Sequence, residues 1–386
     1  MSFLDTIVAA FKGGGSNRVP IARGFTSPWA SAYEPQGKRA PFDYHSAVRE
    51  AYLANPVAQR SVRIVTEGVG GAPLAIDNAQ LAALVACSCG AQPLMEVLAA
   101  HMLLHGDAYV QVVKDGAGQP VELFPLRPDR VSVVPGGDGW PVAYEYRLGG
   151  DVTRIAVEDD DGWPSIIHLS GFHPLDDHYG AGCLGAAEQA VAVHNAAAQW
   201  NRTLLENAAR PSGALVYEPG DGASLSQAQF DRLKAELASA FQGSANAGRP
   251  MVLEGGLSWK AMSMSPADMD FATLKASAAR DIALAFGVPP MLLGLPGDNT
   301  YANYREANRA LWRLTLLPLA AKIGNALAGG LAAWFEGATI AVDLDRVPAL
   351  TEDRERLWAQ VSGADFLSAA EKRTLLNLPT EQDATP

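Results

Sequence analysis

Apolar residues at helical spacing dominate the second half of the chain. Between Leu184 and Ala209 there is no proline, nine residues are alanine, and the positions predicted to be buried recur every three or four residues. Those positions are Leu184, Ala187, Val191, His194, Ala198 and Leu205. A helix of about twenty-four residues would form a rod roughly 36 Å long, and Arg210-Pro211 would end it.

A second long helix is predicted over Pro266–Phe286. Ser265 is a favourable N-cap, and proline suits the first helical position because its missing N–H has no partner there anyway. Gly287 follows the last helical residue, and Pro289-Pro290 prevents the helix from continuing.

A third long helix is predicted over Tyr304–Phe335, after a loop rich in Gly, Pro and Asn over Met291–Asn303. Pro318 lies inside this helix and should kink it, because proline has no backbone N–H and its ring clashes with the preceding turn. A strand over Thr339–Leu344 and a short helical tail over Thr351–Leu376 complete the predicted order.

Residues 210–262, between the first two long helices, predict a small module of their own. It contains a strand over Ala214–Tyr217, a helix opened by the capping-box pair Ser224 and Gln227, and a hairpin of Met251–Leu253 with Leu257–Met262. The apolar residues expected to turn inward from the helix are Phe230, Leu233, Leu237 and Phe241.

Short apolar runs separated by turn residues characterise the first half, which predicts a mixed region of helices and antiparallel strands. Residues 1–45 contain three consecutive glycines and scattered Pro, Gly and Ser, so we expect an arm with little packing of its own. The helices are predicted at Ser46–Ala54, Asn55–Gly68 and Pro93–Leu104, and the strands at Ala108–Val113, Glu122–Leu126, Val131–Val134, Val142–Leu148 and Ile166–Leu169. The whole pattern indicates an α+β protein.

Composition narrows the class of protein. The 386 residues predict two to three domains, and 48% hydrophobic residues indicate a folded chain. Thirty Lys and Arg against forty-two Asp and Glu leave a net charge of −12, which disfavours a protein that grips nucleic acid by neutralising phosphates. The three cysteines, Cys87, Cys89 and Cys183, lack the paired spacing of a zinc site and favour a reduced, intracellular setting.

A membrane location is disfavoured. The first residues have neither a basic start nor a cleavage site, so no signal peptide is predicted. Leu314–Phe335 is long enough to span a bilayer, but Lys322 and Asn325 lie near its middle. Because a central lysine is costly in lipid, burial between helices or subunits is the favoured interpretation.

One cluster of possible metal ligands leaves an enzymatic alternative open, a metal-dependent hydrolase. Its spacing includes neither the i, i+4 histidine pair of a zincin helix nor a CxxC, so a polar loop is favoured over a zinc or iron site. The chain also lacks a GxxxxGK[ST] phosphate loop, and we predict no catalytic residue and no cofactor. The residues of this cluster are His168, His173, Asp176, Asp177, His178 and Cys183.

Three alanine-rich helices are difficult for a single chain to cover. Small side chains let helices of neighbouring copies approach closely, so the pattern favours an assembly of many subunits.

In order and spacing, the chain resembles the portal proteins of tailed bacteriophages, specifically the HK97-type group, from about Asn55 to Leu344. The densest similarity is GRPMVLEGGLSWKAMSMSPADMDF (248–271). The other matching stretches are Asn55-Pro56-Val57, LLHGDAYVQVV (103–113), LRPDRVSVV (126–134), IIHLSGF (166–172), Gly180-Ala181-Gly182-Cys183-Leu184, NAARPSGAL (207–215), ARDIALAFGVPPMLLG (279–294), NTYANYREANR (299–309) and TLLPLAAKI (315–323).

This resemblance implies a ring of twelve subunits at one capsid vertex, through which double-stranded DNA is packaged and ejected. The implied parts are an N-terminal arm (1–45), a wing (46–183), a first stem helix (184–209), a clip (210–262), a second stem helix (263–287), a tunnel loop (288–303), a long kinked helix (304–337), a wing strand (338–349) and a short crown (350–386). It further implies a virion or phage-like particle, possibly a gene transfer agent, assembled in the host cytoplasm, and no membrane. The implied partners are the large terminase, the major capsid protein and a head–tail connector protein.

The resemblance also suggests candidate site residues. In the tunnel loop they are Leu295, Asp298, Asn299, Thr300 and Asn303, whose neutral and acidic side chains would guide DNA without clamping it. Trp259 and Lys260 are candidates for docking at the clip, although Trp259 is equally suited to the core of that module. Another head–tail connector ring remains a further alternative.

Arg305, Arg309 and Arg313 recur every four residues and therefore share one face of a helix. The favoured interpretation is a solvated or ion-paired face. The alternative is contact with DNA or with acidic residues of a neighbouring subunit.

Overall fold

The computed structural model describes residues 42–86, 88–89, 92–206, 213–217, 226–241, 257–261, 271–295 and 301–376. The α-helices are α1 (Tyr44–Val48), α2 (Pro56–Gly70), α3 (Ala79–Ala86), α4 (Leu94–Leu104), α5 (Cys183–Glu206), α6 (Gln227–Phe241), α7 (Phe271–Ala285), α8 (Tyr301–Leu311), α9 (Leu317–Gly330), α10 (Thr351–Ser362) and α11 (Ala369–Leu375). The π-helical segments are Arg49–Leu53 and Trp312–Leu316, and the 3₁₀ turns are Pro128–Arg130, Pro290–Leu293, Leu344–Arg346 and Pro348–Leu350. The strands are β1 (Leu74–Ile76), β2 (Ser88–Cys89), β3 (Gln92–Pro93), β4 (Asp107–Lys114), β5 (Pro120–Leu126), β6 (Val131–Pro135), β7 (Pro141–Leu148), β8 (Asp151–Ala156), β9 (Ile166–Ser170), β10 (Gly213–Tyr217), β11 (Leu257–Ala261) and β12 (Ile340–Val342).

All strand pairs in the described part of the chain are antiparallel, as predicted for the first half. β4 is the central strand of a three-stranded sheet with β5 and β9, and β6, β7 and β8 form a second sheet. β1, α3 and β8 were not predicted. β1 is short and pairs with β12, so residues near position 340 return to the first half of the fold.

The main core lies where both halves of the chain meet. Its fully buried members include Leu98 of α4, Val110 of β4 and Ile323 of α9, together with Leu184 of α5 and Ile282 of α7. A smaller cluster around Tyr109 and Tyr144 fills the space between the two three-stranded sheets. Burying these apolar side chains stabilises the junction of the mixed region with the long helices.

The third long helix is interrupted, and its predicted boundaries were wrong. It begins at Tyr301 and its α-helical part ends at Gly330, with the π-helical segment Trp312–Leu316 in the middle. Pro318 lies in the first turn of α9, directly after this segment. A wider turn before a proline makes room for its ring and for its missing N–H. The helix irregularity expected from Pro318 is therefore the π-helical segment directly before it.

The small module also departs from the prediction. Its helix α6 begins at Gln227 and is capped by Ser226 and Gln229: Ser226 Oγ accepts from the Gln229 N–H, and Gln229 Oε1 accepts from the Ser226 N–H. Phe230, predicted to point inward, is half exposed. β11 pairs with β10, whereas Ser224 and the predicted partner Met251–Leu253 lie outside the described residues.

The apolar stretch 314–335 is divided between the π-helical segment, α9 and a turn. Across the residues that the structure describes, no helix combines the length and hydropathy needed to cross a membrane.

Candidate functional site

Two long helices, α5 and α7, pack side by side. The first was predicted over Leu184–Ala209 and is described from Cys183 to Glu206; the second was predicted over Pro266–Phe286 and is described from Phe271 to Ala285. Small side chains allow the close approach, and a shallow groove of about 330 Å³ runs between the two helices. Its lining residues are Ala186, Gln189, Ala190, Val193, Leu274, Ser277, Ala278 and Asp281.

A buried polar network joins α5 to the mixed region. Asn55 is the N-cap of α2, where its Oδ1 accepts from the N–H groups of Val57 and Ala58 at 3.0 Å. Its Nδ2 donates to His194 Nδ1 at 3.1 Å and to Asn195 Oδ1 at 2.8 Å, both on α5. Burial, reinforced by the positive charge of Lys275 on α7, lowers the pKa of His194, which favours the neutral ring that accepts this bond.

The segment after α7 is more regular than the predicted loop. Gly287 closes the helix with φ +67°, as predicted, and a 3₁₀ turn occupies Pro290–Leu293 before Gly294 at φ +71°. Leu295 is half-buried at its end. Asn303 lies in α8 instead of a loop, because the helix starts at Tyr301. Asp298, Asn299 and Thr300 lie outside the described residues.

The three arginines of α8 and the following segment form ion pairs within the chain. Arg305 contacts Glu352 at 2.7 Å, and Arg309 contacts both Glu352 at 2.8 Å and Glu306 at 3.1 Å. Arg313 lies 3.9 Å from Asp353, which also approaches Arg309. The ion-paired interpretation therefore describes this face, and its partners lie on α8 and on α10.

The residues proposed as metal ligands do not converge. His168 lies on β9, where its Nε2 donates to Asp107 at 3.0 Å and its ring stacks on Tyr109. Cys183 begins α5 as a free, half-buried thiol. Four further residues of the cluster belong to the loop between β9 and α5: His173 and His178 are half-buried, whereas Asp176 and Asp177 are exposed. In the described part of the chain, His, Cys, Asp and Glu side chains do not gather in threes suited to a metal ion.

Asp107, which the sequence analysis did not single out, organises the base of this loop. Its fully buried carboxylate accepts from the Gly180 N–H at 2.9 Å with each oxygen and from His168. Burial alone would raise the pKa of Asp107, but the His105 ring 3.4 Å away and the hydrogen bonds from His168 and Gly180 outweigh it and hold the pKa below its usual range. An acidic residue at the start of a strand whose next three residues are apolar or aromatic was the available signal.

The clip candidates lie on β11. Trp259 is opposite Leu215 and Lys260 opposite Ala214 in the ladder with β10, and the Lys260 side chain is exposed. Lys260 is therefore accessible to a partner in the isolated chain.

A family model described as phage portal protein matches residues 56–377, which is most of the chain. The chain belongs to the phage portal protein family. The match extends from the N-terminus of α2 to just beyond α11, so it includes the helices α5 and α7, the small module and the tail.

Individual relatives include proteins of a phage and of a phage-like particle. The neck of a native gene transfer agent particle, solved with C12 symmetry, contains a chain that is 48% identical to this one. The two structures match with a TM-score of 0.68, and the match covers 88% of this chain and 94% of that one. The portal protein of Enterobacteria phage HK97 is 23% identical over 239 residues, 61% of this chain and 53% of that protein. A protein of Rickettsia bellii is 38% identical over 348 residues, 86% of this chain and 89% of its own length.

The resemblance to HK97-type portal proteins is thus confirmed, and the hydrolase alternative has no support. The chain is a portal protein of a phage or of a phage-like gene transfer particle, and the family is a structural one. In this portal protein the polar network at Asn55 joins α5 to the mixed region, and α7 packs against α5.

Proposed function

We propose that twelve copies of this chain form a ring around an open channel for double-stranded DNA at the vertex of a capsid. The observation that supports this most strongly is the 48% identical chain in a particle neck with C12 symmetry. The exposed face of α5 includes the small side chains of Ala186, Ala192 and Ala196, which suit close contact between copies.

In this ring the channel guides DNA without holding it. The net charge of −12 per chain would give twelve copies about −144, which opposes tight phosphate binding. The arginines of α8 are already neutralised by Glu306, Glu352 and Asp353 within the chain. The tunnel-loop candidates Leu295, Asp298, Asn299, Thr300 and Asn303 bring no positive charge to the channel.

The remaining parts follow the portal plan. The wing, stem, clip, tunnel loop and crown keep the boundaries predicted from the sequence, except that residues 301–303 are reassigned from the tunnel loop to the long helix. The clip, with Lys260 exposed on β11, is the docking site for the large terminase during packaging and for a head–tail connector protein afterwards. The wing contacts the major capsid protein, and assembly takes place in the host cytoplasm.

Electron microscopy of the purified full-length chain tests the ring. We expect particles with an open centre, and a mass of about 490 kDa for twelve copies of the 40.7 kDa chain. A well-folded monomer at all concentrations, or an assembly whose axis is filled with protein, would refute the proposal.

A gel-shift titration with a random-sequence duplex tests the channel. Binding should be weak at 50 mM salt and lost at 200 mM, because only a few phosphate contacts are available. Tight binding that persists at 200 mM salt would contradict a channel that does not clamp DNA.

A further inference from the structure

Two large apolar side chains on the loop between β9 and α5 are almost fully exposed. Phe172 is 84% exposed and Leu175 is 91% exposed. They lie three positions apart, so their Cα atoms are separated by at most about 11 Å. One exposed apolar side chain is ordinary on a protein surface, whereas two within four residues mark a contact site. We call residues 172–175 the loop tip.

Hydrogen bonds hold the loop tip at both ends. Directly before it, the Gly171 N–H donates to the Gly106 carbonyl at 2.7 Å. Directly after it, Asp176 Oδ1 accepts from the Tyr179 N–H at 3.0 Å, and the Tyr179 hydroxyl accepts from the Val133 N–H at 2.9 Å. The loop tip is therefore pre-organised, so it loses little conformational freedom when a partner covers it.

The groove between α5 and α7 has the length that the loop tip requires. Its α5 wall runs from Ala186 to Val193 and its α7 wall from Leu274 to Asp281, so each wall extends about 10 Å along its helix. Most of the lining residues are apolar, and those on α5 and α7 with the smallest side chains are alanines. The groove can therefore receive larger apolar side chains from outside.

Exposed apolar side chains border the same groove. The Phe42 ring, 52% exposed, lies next to Gly185, directly before the first groove residue of α5. Leu284, 76% exposed, follows Asp281 by one turn on the same face of α7. An apolar groove with apolar borders is costly to leave in water, which favours its being covered.

The base of the loop and the groove lie close together in the subunit. The loop ends where α5 begins at Cys183, and the groove begins at Ala186, about 5 Å further along the helix. Rotation about a ring axis leaves the height of every point along that axis unchanged. Because the two features are neighbours in space, their heights differ little, and a rotated copy can bring its loop to the groove of the next.

We propose that the loop tip of one copy packs in the α5–α7 groove of its neighbour. The exposure of Phe172 and Leu175 shows that they do not fill the groove of their own copy. A protruding surface that meets a different, concave surface of the next copy is the heterologous contact that closes a cyclic ring. This inference rests on the proposed ring and names the two surfaces that join its subunits.

Cross-linking between two single-cysteine variants tests the contact directly. Full-length Leu175→Cys and Ser277→Cys are co-expressed with different tags and treated with a short bismaleimide. Because the two new cysteines are on different chains, every bond between positions 175 and 277 joins two copies. We expect covalent dimers whose cross-linked peptides contain these two positions. Each variant alone, and the wild type with its native Cys183, are the controls and should lack that peptide pair.

Variants of either surface test its contribution to association. Phe172→Ser/Leu175→Ser removes the apolar loop tip, and Ala186→Lys fills the start of the groove from an exposed position. Circular dichroism should match the wild type, because the replaced side chains are exposed. Burial of each large apolar side chain favours association at least about tenfold, so the serine variant should need about a hundredfold higher concentration to form rings in sedimentation velocity. Phe366→Ser, at a phenylalanine 88% exposed after α10, is the matched control and should form rings as the wild type does.

The outcomes separate this inference from the proposed function. Rings that form without the 175–277 cross-link would overturn the inference and leave the ring intact. Rings of the serine variant at wild-type concentrations would also overturn it, since the loop tip would then face another partner, such as the major capsid protein. Equal weakening by Phe366→Ser would show that the loop tip has no special part in the contact. A wild type that stays monomeric would overturn both proposals. If the serine variant does not fold, the cross-link decides.

Discussion

Replacing Asn55 by aspartate should reverse how this protein responds to pH. Wild-type Asn55 donates two hydrogen bonds to α5, to the neutral ring of His194 and to Asn195, and also caps α2. Asn55→Asp keeps the cap, because a carboxylate oxygen can still accept from the helix N–H groups. It loses both donated bonds and turns a carboxylate oxygen toward two acceptors.

The magnitude follows from the contacts. Each lost buried hydrogen bond costs about 1 kcal/mol and each acceptor left unsatisfied adds to that, so Asn55→Asp should lower the free energy of unfolding by about 3 kcal/mol at pH 7.5. At pH 5.5 a protonated His194 can donate to the new carboxylate, and the variant should regain about 2 kcal/mol. Asn55→Ala, which also loses the cap, should lose about 4 kcal/mol and regain nothing in acid.

The sign of the pH dependence separates the variants. The pKa of His194 is lowered in the wild-type fold, so the unfolded chain binds the proton more readily and stability falls as pH drops below about 6.5. In Asn55→Asp the pKa of His194 should be raised, so the added stability is present below about 6.5 and is lost as pH rises through the raised pKa.

Urea unfolding, followed by tryptophan fluorescence at several pH values between 5.5 and 7.5, measures how the free energy of unfolding of each variant changes with pH. Asn55→Ala should keep the wild-type slope and serves as the control. The reasoning is refuted if the gap between wild type and Asn55→Asp stays constant or widens in acid.

Three further changes test other contacts. Asp107→Asn should lower the free energy of unfolding, measured in urea, by about 2 kcal/mol at pH 7. Because the pKa of Asp107 is lowered in the fold, the wild type loses stability as pH falls below about 4, so the difference between variant and wild type should shrink there. A difference that is constant down to pH 2 would contradict this. Arg309→Glu should destabilise the α8–α10 contact by about 1 kcal/mol, and adding Glu352→Arg in the same chain should restore part of that stability. A double variant that loses more stability than the two single variants together would argue against the ion pair. Gly330→Ala places a methyl group about 2.6 Å from a buried Ile167 carbon and should cost about 1–3 kcal/mol of stability in thermal unfolding. The neighbouring Gly329 faces open space, so Gly329→Ala should be neutral or slightly stabilising. Equal effects of the two substitutions would be inconsistent with the packing.

Much of the order of elements could be predicted from the sequence. The start of α2 at Asn55-Pro56, the end of α7 at Gly287 and the long proline-free run of α5 each depend on residues within one or two helical turns. Strand β4 was likewise predictable from its apolar run. The predicted boundaries of helices were wrong where tertiary packing extends or ends an element. An example is Gly330, where α9 ends and the chain lies directly against Ile167.

The candidate site was harder to predict because its contacts join distant residues. Arg305, Arg309 and Arg313 were recognised as one helical face, but their partners Glu352 and Asp353 lie forty or more positions away. The histidines of the 168–183 region were recognised as a cluster in the sequence. The fold separates them, because His168 belongs to a strand and turns toward Asp107 while the loop after it carries the others.

The sequence by itself therefore determined the α+β class, the helical rods, the acidic charge and the resemblance to portal proteins, since these depend on local spacing and composition. Only the tertiary structure decided that Asn55 joins α2 to α5, that Asp107 anchors the loop before α5, and that the arginine face is paired within the chain. The physical reason is that a helix is specified by hydrogen bonds four residues apart. The partner of a buried polar group is instead chosen by whichever distant segments the core brings together.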